Sequence, residues 1–255
     1  MRRLVEGVHH RLAVRGDVGA LRLDVALELG AAWTVLFGPS GCGKTSVLRA
    51  MGGVLPGVVI EFARRAVVET RVRKSGPGAP DGVGWVELGA KAPDCRGLAY
   101  APQSGALFPH LSVRDNVGFA YSVCADPPRE ATIVDEALSL FKLHALCERM
   151  PRQLSGGERQ RVNLARAFAT PHACLLLLDE PFAGLDRGLR DELLPGMVEW
   201  GRGRGVPVVS VTHDVDEALL LGAETVRMEG GKVVAQGAAR DVLAEERVRM
   251  LRNLG

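Results

Sequence analysis

Leu21, Leu23, Val25, Leu27 and Leu29 alternate with Arg22, Asp24, Ala26 and Glu28, the period-two pattern of a strand with one wet face. The segment from Val8 to Val14 is a fitting hairpin partner for it. Three other runs, Trp33 to Phe37, Cys174 to Leu178 and Val206 to Val211, are almost continuously apolar, as expected of parallel strands covered by helices on both faces. Between Phe108 and Thr170 the apolar positions take a helical period: Ile133, Ala137, Leu140 and Phe141 share one face, and the Asp-Pro-Pro at 126–128 suits a break before that helix. Residues 57–96 hold short strand-like pieces separated by glycine and proline, whose pairing the pattern leaves open. A hairpin at 227–237 and one helix from Ala238 to Leu254 follow. The pattern predicts a wound α/β sheet with an antiparallel flank, and no internal repeat or long linker interrupts it.

Composition narrows this without changing it. The 255 residues, 47% of them hydrophobic, suffice for one large α/β domain. No apolar run approaches the roughly 18 residues of a membrane helix, and the opening MRRLVEGVHHRLAV lacks the apolar stretch of a secretion signal, so the chain is expected in the cytoplasm. Its five cysteines, at 42, 95, 124, 147 and 174, include no C-x-x-C pair and favour neither a disulfide framework nor a zinc site. A net charge of +2 gives no footprint for nucleic acid, and the basic run at 71–74 reads as a solvated strand or loop.

Between the strand ending at Phe37 and the helix expected from Thr45 to Met51 lies Gly38-Pro39-Ser40-Gly41-Cys42-Gly43-Lys44-Thr45-Ser46, which fits the phosphate-cradling G-x-x-x-x-G-K-[ST] loop in its strand-to-helix context. Glycine lets such a loop aim successive N–H groups at an anion, and the helix N-terminus adds its own. Only five basic residues are lysine, so a lysine at 44 is a departure from a strong arginine preference. A compact ammonium suits the close approach to β- and γ-phosphates where a planar guanidinium does not. If solvent reaches Cys42, the loop N–H groups favour its thiolate and make it the most reactive of the five; a thiol turned into the protein would be inert.

The run 174–178 leads into Asp179 and Glu180, two carboxylates at the C-terminal end of a strand, where α/β sheets keep their sites. Beside a phosphate loop they have separate tasks: Asp179 with the Thr45 hydroxyl to hold Mg²⁺ through oxygen ligands, Glu180 to polarise the attacking water. Upstream, Ser155 and Glu158 form a capping box across Gly156 and Gly157, so a helix starts there with a second set of open N–H groups.

With GPSGCGKT, LSGGERQR and LLLLDEP in this order, the chain resembles the ATP-binding-cassette ATPases over nearly its whole length. The resemblance implies a P-loop NTPase of RecA-like wound sheet, with core residues 1–103 and 171–255 and an inserted helical subdomain at about 104–170. It also implies an ATP hydrolase of a membrane transporter, with ATP and Mg²⁺ as cofactors. In that family ATP lies between two cassettes, so Ser155, Gly156, Gly157 and Glu158 would act in trans on the nucleotide held at Lys44 of a partner chain. Gln103 matches the glutamine that touches the metal and its water, Asp186 the aspartate at the dimer seam, and His213 the histidine that holds the γ-phosphate and water. Asp214 and Glu217 after it read as a capping box.

Within the family the stretches at 101–121 and 211–237 resemble the molybdate-importer type. That type implies a homodimer at the cytoplasmic face of the cell membrane, two integral-membrane permease subunits above it, and an extracytoplasmic solute-binding protein that selects the oxyanion. Phe108 to Leu111, just after Gln103, would lie near the permease's coupling helix. No aromatic residue stands between Leu12 and Gly19 to stack on adenine; Arg15 offers a guanidinium plane there, although it also reads as a solvated arginine. An added C-terminal oxyanion-binding domain is not expected within these 255 residues, and residues 57–96 depart from the family's usual hairpin. Other solutes such as sulfate, iron or thiamine therefore stay open, as does a soluble cassette ATPase without a permease.

Overall fold

A computed structural model of the chain describes residues 9–68, 82–123, 127–221 and 223–252. Its ten described strands form one sheet in the order β5-β4-β1-β2-β10-β9-β3-β8-β7-β6. The parallel half consists of β3 (Trp33–Phe37), β6 (Leu98–Ala101), β7 (Leu175–Asp179) and β8 (Val208–Thr212), with β9 (Glu224–Glu229) joining β3 in parallel. The antiparallel half consists of β1 (His10–Val18), β2 (Leu21–Leu29), β4 (Val58–Val68) and β5 (Gly82–Glu87), while β10 (Lys232–Ala238) turns back on β9.

Alternation along the buried strands feeds two cores, because successive side chains leave a strand on opposite faces. Val35, Leu176 and Leu178 enter one core with Phe141, Phe168 and Met197. Leu36, Leu175 and Leu177 enter the other with Val47, Leu48, Met51 and the inner face of β1, β2 and β4. Helix α1 (Lys44–Gly52) covers this second face. On the first face lie α2 (Val113–Val123), α3 (Pro127–Leu140), α4 (Gly156–Phe168) and α5 (Arg187–Arg204), with α2, α3 and α4 packed on one another. Short α6 (Val215–Leu220), α7 (Ala239–Val242) and α8 (Ala244–Arg252) complete the chain.

Several boundaries differ from the sequence pattern, each for a local reason. The helix expected over 238–254 divides into α7 and α8 at Leu243, whose φ of −105° and ψ of 17° end the first helical turn. The apolar run at 206–211 becomes a strand only from Val208, because Pro207 has no N–H for the ladder; its carbonyl accepts from Leu176 N at 3.0 Å instead. The unassigned region pairs as β4 against β5, with β4 antiparallel to β1 on its other side. The basic run at 71–74 and Cys124 lie outside the described residues. Among those described, no helix is long and apolar enough to cross a membrane.

Candidate functional site

Four strand ends supply the site: the loop after β3, Gln103 after β6, Asp179 and Glu180 at the end of β7, and His213 after β8. In the loop, Gly38 (φ 153°) runs so close to β9 that a Cβ would stand 2.2 Å from the Met228 carbonyl oxygen. Gly43 (φ 105°) takes a conformation that L side chains rarely adopt, and a Cβ there would meet Leu23 at 2.7 Å. The helix behind the loop is also unusual. Helices α4, α5 and α6 are capped by the side chains of Ser155, Asp186 and Asp214, whereas α1 starts at Gly43 with no side-chain cap and no acidic residue in its first turn. Its first N–H groups are left for a ligand, and the positive end of the helix favours an anion. Lys44 is buried at this point, and its ammonium donates to the carbonyls of Gly38 at 2.7 Å and Pro39 at 2.9 Å. The loop at 38–46 thus has the form of a phosphate cradle.

Cys42 lies inside this cradle but 4% exposed, its Sγ 4.0 Å from the Lys44 ammonium. The structure corrects the expectation of a solvent-reached, reactive thiol at 42: the side chain points into the protein.

Thr45 and Asp179 meet directly, the threonine hydroxyl donating to Asp179 Oδ1 at 2.8 Å. Burial raises the Asp179 carboxyl above the ordinary range, against the lowering effect of bonds from Thr45 and Tyr100. Tyr100, on β6, donates its hydroxyl to Asp179 Oδ2 at 3.3 Å. This oxygen-only pair of buried Asp179 and half-buried Thr45 has the donor chemistry of a hard divalent ion, and a cation there would relieve the cost of the buried charge.

Glu180 is held on both oxygens. Gln103 Nε2 donates to Oε2 at 3.0 Å, and His213 Nδ1 stands 3.3 Å from Oε1. Its backbone is strained, with φ 45° at a residue other than glycine, and its N–H is fixed to the Val211 carbonyl at 3.1 Å. Gln160 of α4 secures the same turn by donating to the carbonyls of Glu180 (3.3 Å) and Pro181 (3.1 Å), while Asn163 holds the Pro102 carbonyl at 2.8 Å, next to Gln103. Gln103, Glu180 and His213 are thereby assembled in one chain, with Asp179 and Thr45 alongside.

Among the described residues no hydrogen bond joins the Ser155–Glu158 segment to the loop at 38–46. The capping box forms as read, with Glu158 N donating to Ser155 Oγ at 3.3 Å and Ser155 N to Glu158 Oε2 at 2.7 Å. Gly157 lies against the turn before Asp186, where a Cβ would approach the Gly184 carbonyl to 3.1 Å. Asp186 itself caps α5, accepting from Leu189 N at 2.9 Å. The second expected box takes another form. Asp214 caps α6 by accepting from Asp216 N and Glu217 N, but Glu217 turns to the Thr212 hydroxyl (2.5 Å), and that hydroxyl, not Glu217, accepts from Asp214 N (3.0 Å). Arg15 is exposed and paired with Asp24 at 3.4 Å.

Tyr100 and Asn163 support the site without belonging to any of the motifs, and Gln160 supports it from within LSGGERQR, where only Ser155 to Glu158 were given a role. The signal for them was thin: a tyrosine in a strand that ends at the site, and two amides on a helix otherwise read for its cap.

Residues 22–183 match the ABC transporter family model, more than half of the chain. A molybdenum import ATP-binding protein of Rhodospirillum rubrum is 40% identical over 228 residues, 89% of this chain and 57% of that protein. An Fe(3+) ions import ATP-binding protein of Mesorhizobium japonicum is 36% identical over 248 residues, 97% of this chain and 63% of that protein. The chain thus spans less than two thirds of the length of these relatives. A dimeric ATP-binding cassette solved in a post-hydrolysis state with ADP and Pi superposes with a TM-score of 0.70 at 22% identity, over 91% of this chain and 99% of that one, which establishes the fold. On the family match, and on a phosphate loop and strand-end carboxylates in the matching fold, the chain belongs to the ABC transporter family.

Proposed function

We propose that this chain is the ATP-hydrolysing subunit of a membrane importer, that it works as a homodimer beneath two permease subunits at the cytoplasmic face of the membrane, and that its cargo is an oxyanion such as molybdate. The observation that carries the catalytic part is Glu180, held on one oxygen by Gln103 and on the other by His213, beside the phosphate cradle. ATP is the substrate. Its phosphates take the N–H groups at the start of α1, and the Lys44 ammonium exchanges the Gly38 and Pro39 carbonyls for phosphate oxygens. The Thr45 hydroxyl and the Asp179 carboxylate would hold Mg²⁺, which would supply charge neutralisation at the phosphates. Glu180 accepts a proton from water, Gln103 fixes the carboxylate's direction, and His213 steadies the γ-phosphate side.

Ser155, Gly156, Gly157 and Glu158 act in trans, which agrees with the lack, among the described residues, of any hydrogen bond from them to the chain's own loop. Asp186 stands at the seam. A groove of about 410 Å³ lined by Tyr100, Leu107, Phe108, Phe119 and Arg166 opens near the segment after Gln103, and the 37% exposed Phe119 gives it an apolar rim suited to a permease helix. The cargo rests on relatives named for molybdenum import; the relative named for Fe(3+) import supports iron as the second reading.

Release of phosphate from MgATP by the purified chain, against Glu180→Gln, tests the catalytic part; no release above the variant overturns it. Uptake of molybdate, sulfate and Fe³⁺ into proteoliposomes containing the chain and the permease encoded beside it tests the cargo.

A further inference from the structure

Helix α5 and the exit of β8 meet around one buried cation. The Arg190 side chain is 7% exposed; its Nε donates to Asp191 Oδ1 at 2.9 Å and its Nη1 to Asp214 Oδ2 at 3.4 Å. A guanidinium removed from water to this degree is tolerable only with anionic partners, and its planar fork serves two carboxylates at once where an ammonium would serve one. The other oxygen of Asp214 is committed to the start of α6, accepting from Asp216 N at 2.7 Å. On the far side of His213, Thr212 is fixed by its short bond to buried Glu217. Both neighbours of His213 in sequence are therefore held, one by Glu217 and the other by Arg190.

Arg190 also belongs to the first turn of α5. Its N–H donates to the Asp186 carbonyl at 3.0 Å, and the Asp186 side chain caps that helix. A cavity of about 330 Å³ separates the two segments, lined by Glu180, Gly184, Arg187, Arg190, His213 and Asp214. Across this gap the Arg190–Asp214 ion pair joins the first turn of α5 to the loop carrying His213, and a second exposed pair, Arg187 with Asp216 at 3.3 Å, runs parallel to it. Exposed pairs contribute little, so the pair made by the buried Arg190 guanidinium with half-buried Asp214 sets the geometry.

We propose that Arg190 is a positioning residue: through Asp214 it fixes the backbone at His213, and with it the imidazole's place against Glu180, to the segment that begins α5 at Asp186. Displacement of the Asp186 segment then displaces His213. The consequence for turnover rests on the hydrolytic reading above; the consequence for the imidazole does not.

The test compares the full chain with Arg190→Met, Asp214→Asn and the double variant, reading the His213 ring resonance by ¹³C-histidine NMR, assigned from His213→Ala, and the steady-state kinetics of ATP hydrolysis. In Arg190→Met the His213 resonance shifts or splits, kcat falls by about tenfold or more, and KM for ATP stays within about twofold, the pattern of an interaction made in the transition state. Asp214→Asn added to Arg190→Met changes the resonance and kcat less than it does alone, because the two share one route. Arg190→Lys keeps the charge and the fold and moves the resonance by a smaller amount, which preserves the comparison if Arg190→Met does not fold. An unmoved His213 resonance in both Arg190 variants overturns the proposal, and additive effects of Arg190→Met and Asp214→Asn overturn the route through Asp214. If the parental chain releases no phosphate, the hydrolytic reading fails while the NMR comparison still decides the positioning role.

Discussion

Gln103 Nε2 donates to Glu180 Oε2 at 3.0 Å, joining the exits of β6 and β7 by a single bond between side chains 77 residues apart. With His213 at the other oxygen, the carboxylate is aimed before any substrate arrives. Glu180→Gln keeps the size of the side chain and its oxygen while removing its basicity. Turnover is expected to fall by about 100-fold or more, within the range of general-base catalysis, with ATP still bound. If the proposed homodimer closes on ATP and reopens on hydrolysis, the variant elutes as a dimer in size-exclusion chromatography with MgATP. A parental rate of phosphate release would remove Glu180 from the base role.

Lys44 has exchangeable partners, two backbone carbonyls of its own loop. Lys44→Ala deletes a charge-assisted contact to phosphate of about 1.5–3 kcal/mol, so nucleotide affinity should drop by about 10- to 150-fold. A fluorescent ATP analogue titrated into variant and parent measures it, and an unchanged Kd would place the phosphates elsewhere.

Ser155 has a local duty and a proposed distant one, and two substitutions separate them. Ser155→Ala loses the cap that receives Glu158 N and should cost about 1 kcal/mol of stability, visible in the urea midpoint. Ser155→Arg places a bulky cation where, on the proposed action in trans, a partner cassette would close. It should abolish hydrolysis and leave nucleotide affinity near that of the parent. Loss of binding as severe as in Lys44→Ala would refute action in trans.

The parallel core was readable because Trp33–Phe37, Leu175–Asp179 and Val208–Thr212 are buried on both faces and announce it by continuous apolar composition. The pairing of β4 was not, since its partners β1 and β5 are set by long-range register, and the segment Glu61-Phe-Ala-Arg-Arg65 has no clean alternation. At the site, residues fixed by local spacing were legible: the loop, the Ser155 cap, the strand-end acids. Residues that reach across the fold were legible only where a motif or the family resemblance named them, as with Thr45 and Asp179, Gln103 and His213. Tyr100 meets Asp179 over 79 positions and Arg190 meets Asp214 over 24, and neither contact is marked by a motif. Glu217 was misread for a related reason, because the Thr212 hydroxyl competes successfully for both the glutamate and the Asp214 N–H.

Cysteine reactivity should follow exposure, since a buried thiol cannot meet reagent however its charge is favoured. Among the described cysteines Cys95 is exposed, whereas Cys42 and Cys147 are buried. Timed maleimide labelling with peptide mapping should therefore find Cys95 modified well before Cys42, with nucleotide making little difference to the first step. Early modification of Cys42, slowed by ATP, would show that the loop opens to expose it.

His10 carries a sharper test of the antiparallel flank. The ring is 1% exposed, stacked on Phe62 with centroids 5.9 Å apart, and neither nitrogen has a hydrogen-bond partner among the described residues. Burial first, then the charges of Arg64 and His9, push its pKa down to about 3 from 6.5. Between those values the unfolded chain binds a proton that the folded chain refuses, so stability present at neutral pH is lost as the pH falls below the unfolded value. At pH 5 this one site should cost about 2 kcal/mol, since each pH unit below the unfolded pKa costs about 1.4 kcal/mol. His10→Leu keeps the buried apolar contact with Phe62 and cannot take up the proton. Urea unfolding of parent and variant at pH 7.5 and pH 5 reads the difference directly: the parent should lose about 2 kcal/mol more than the variant on acidification. Equal losses would mean that His10 is protonated in the fold, with a counter-charge or solvent path beside β1 that the buried ring excludes.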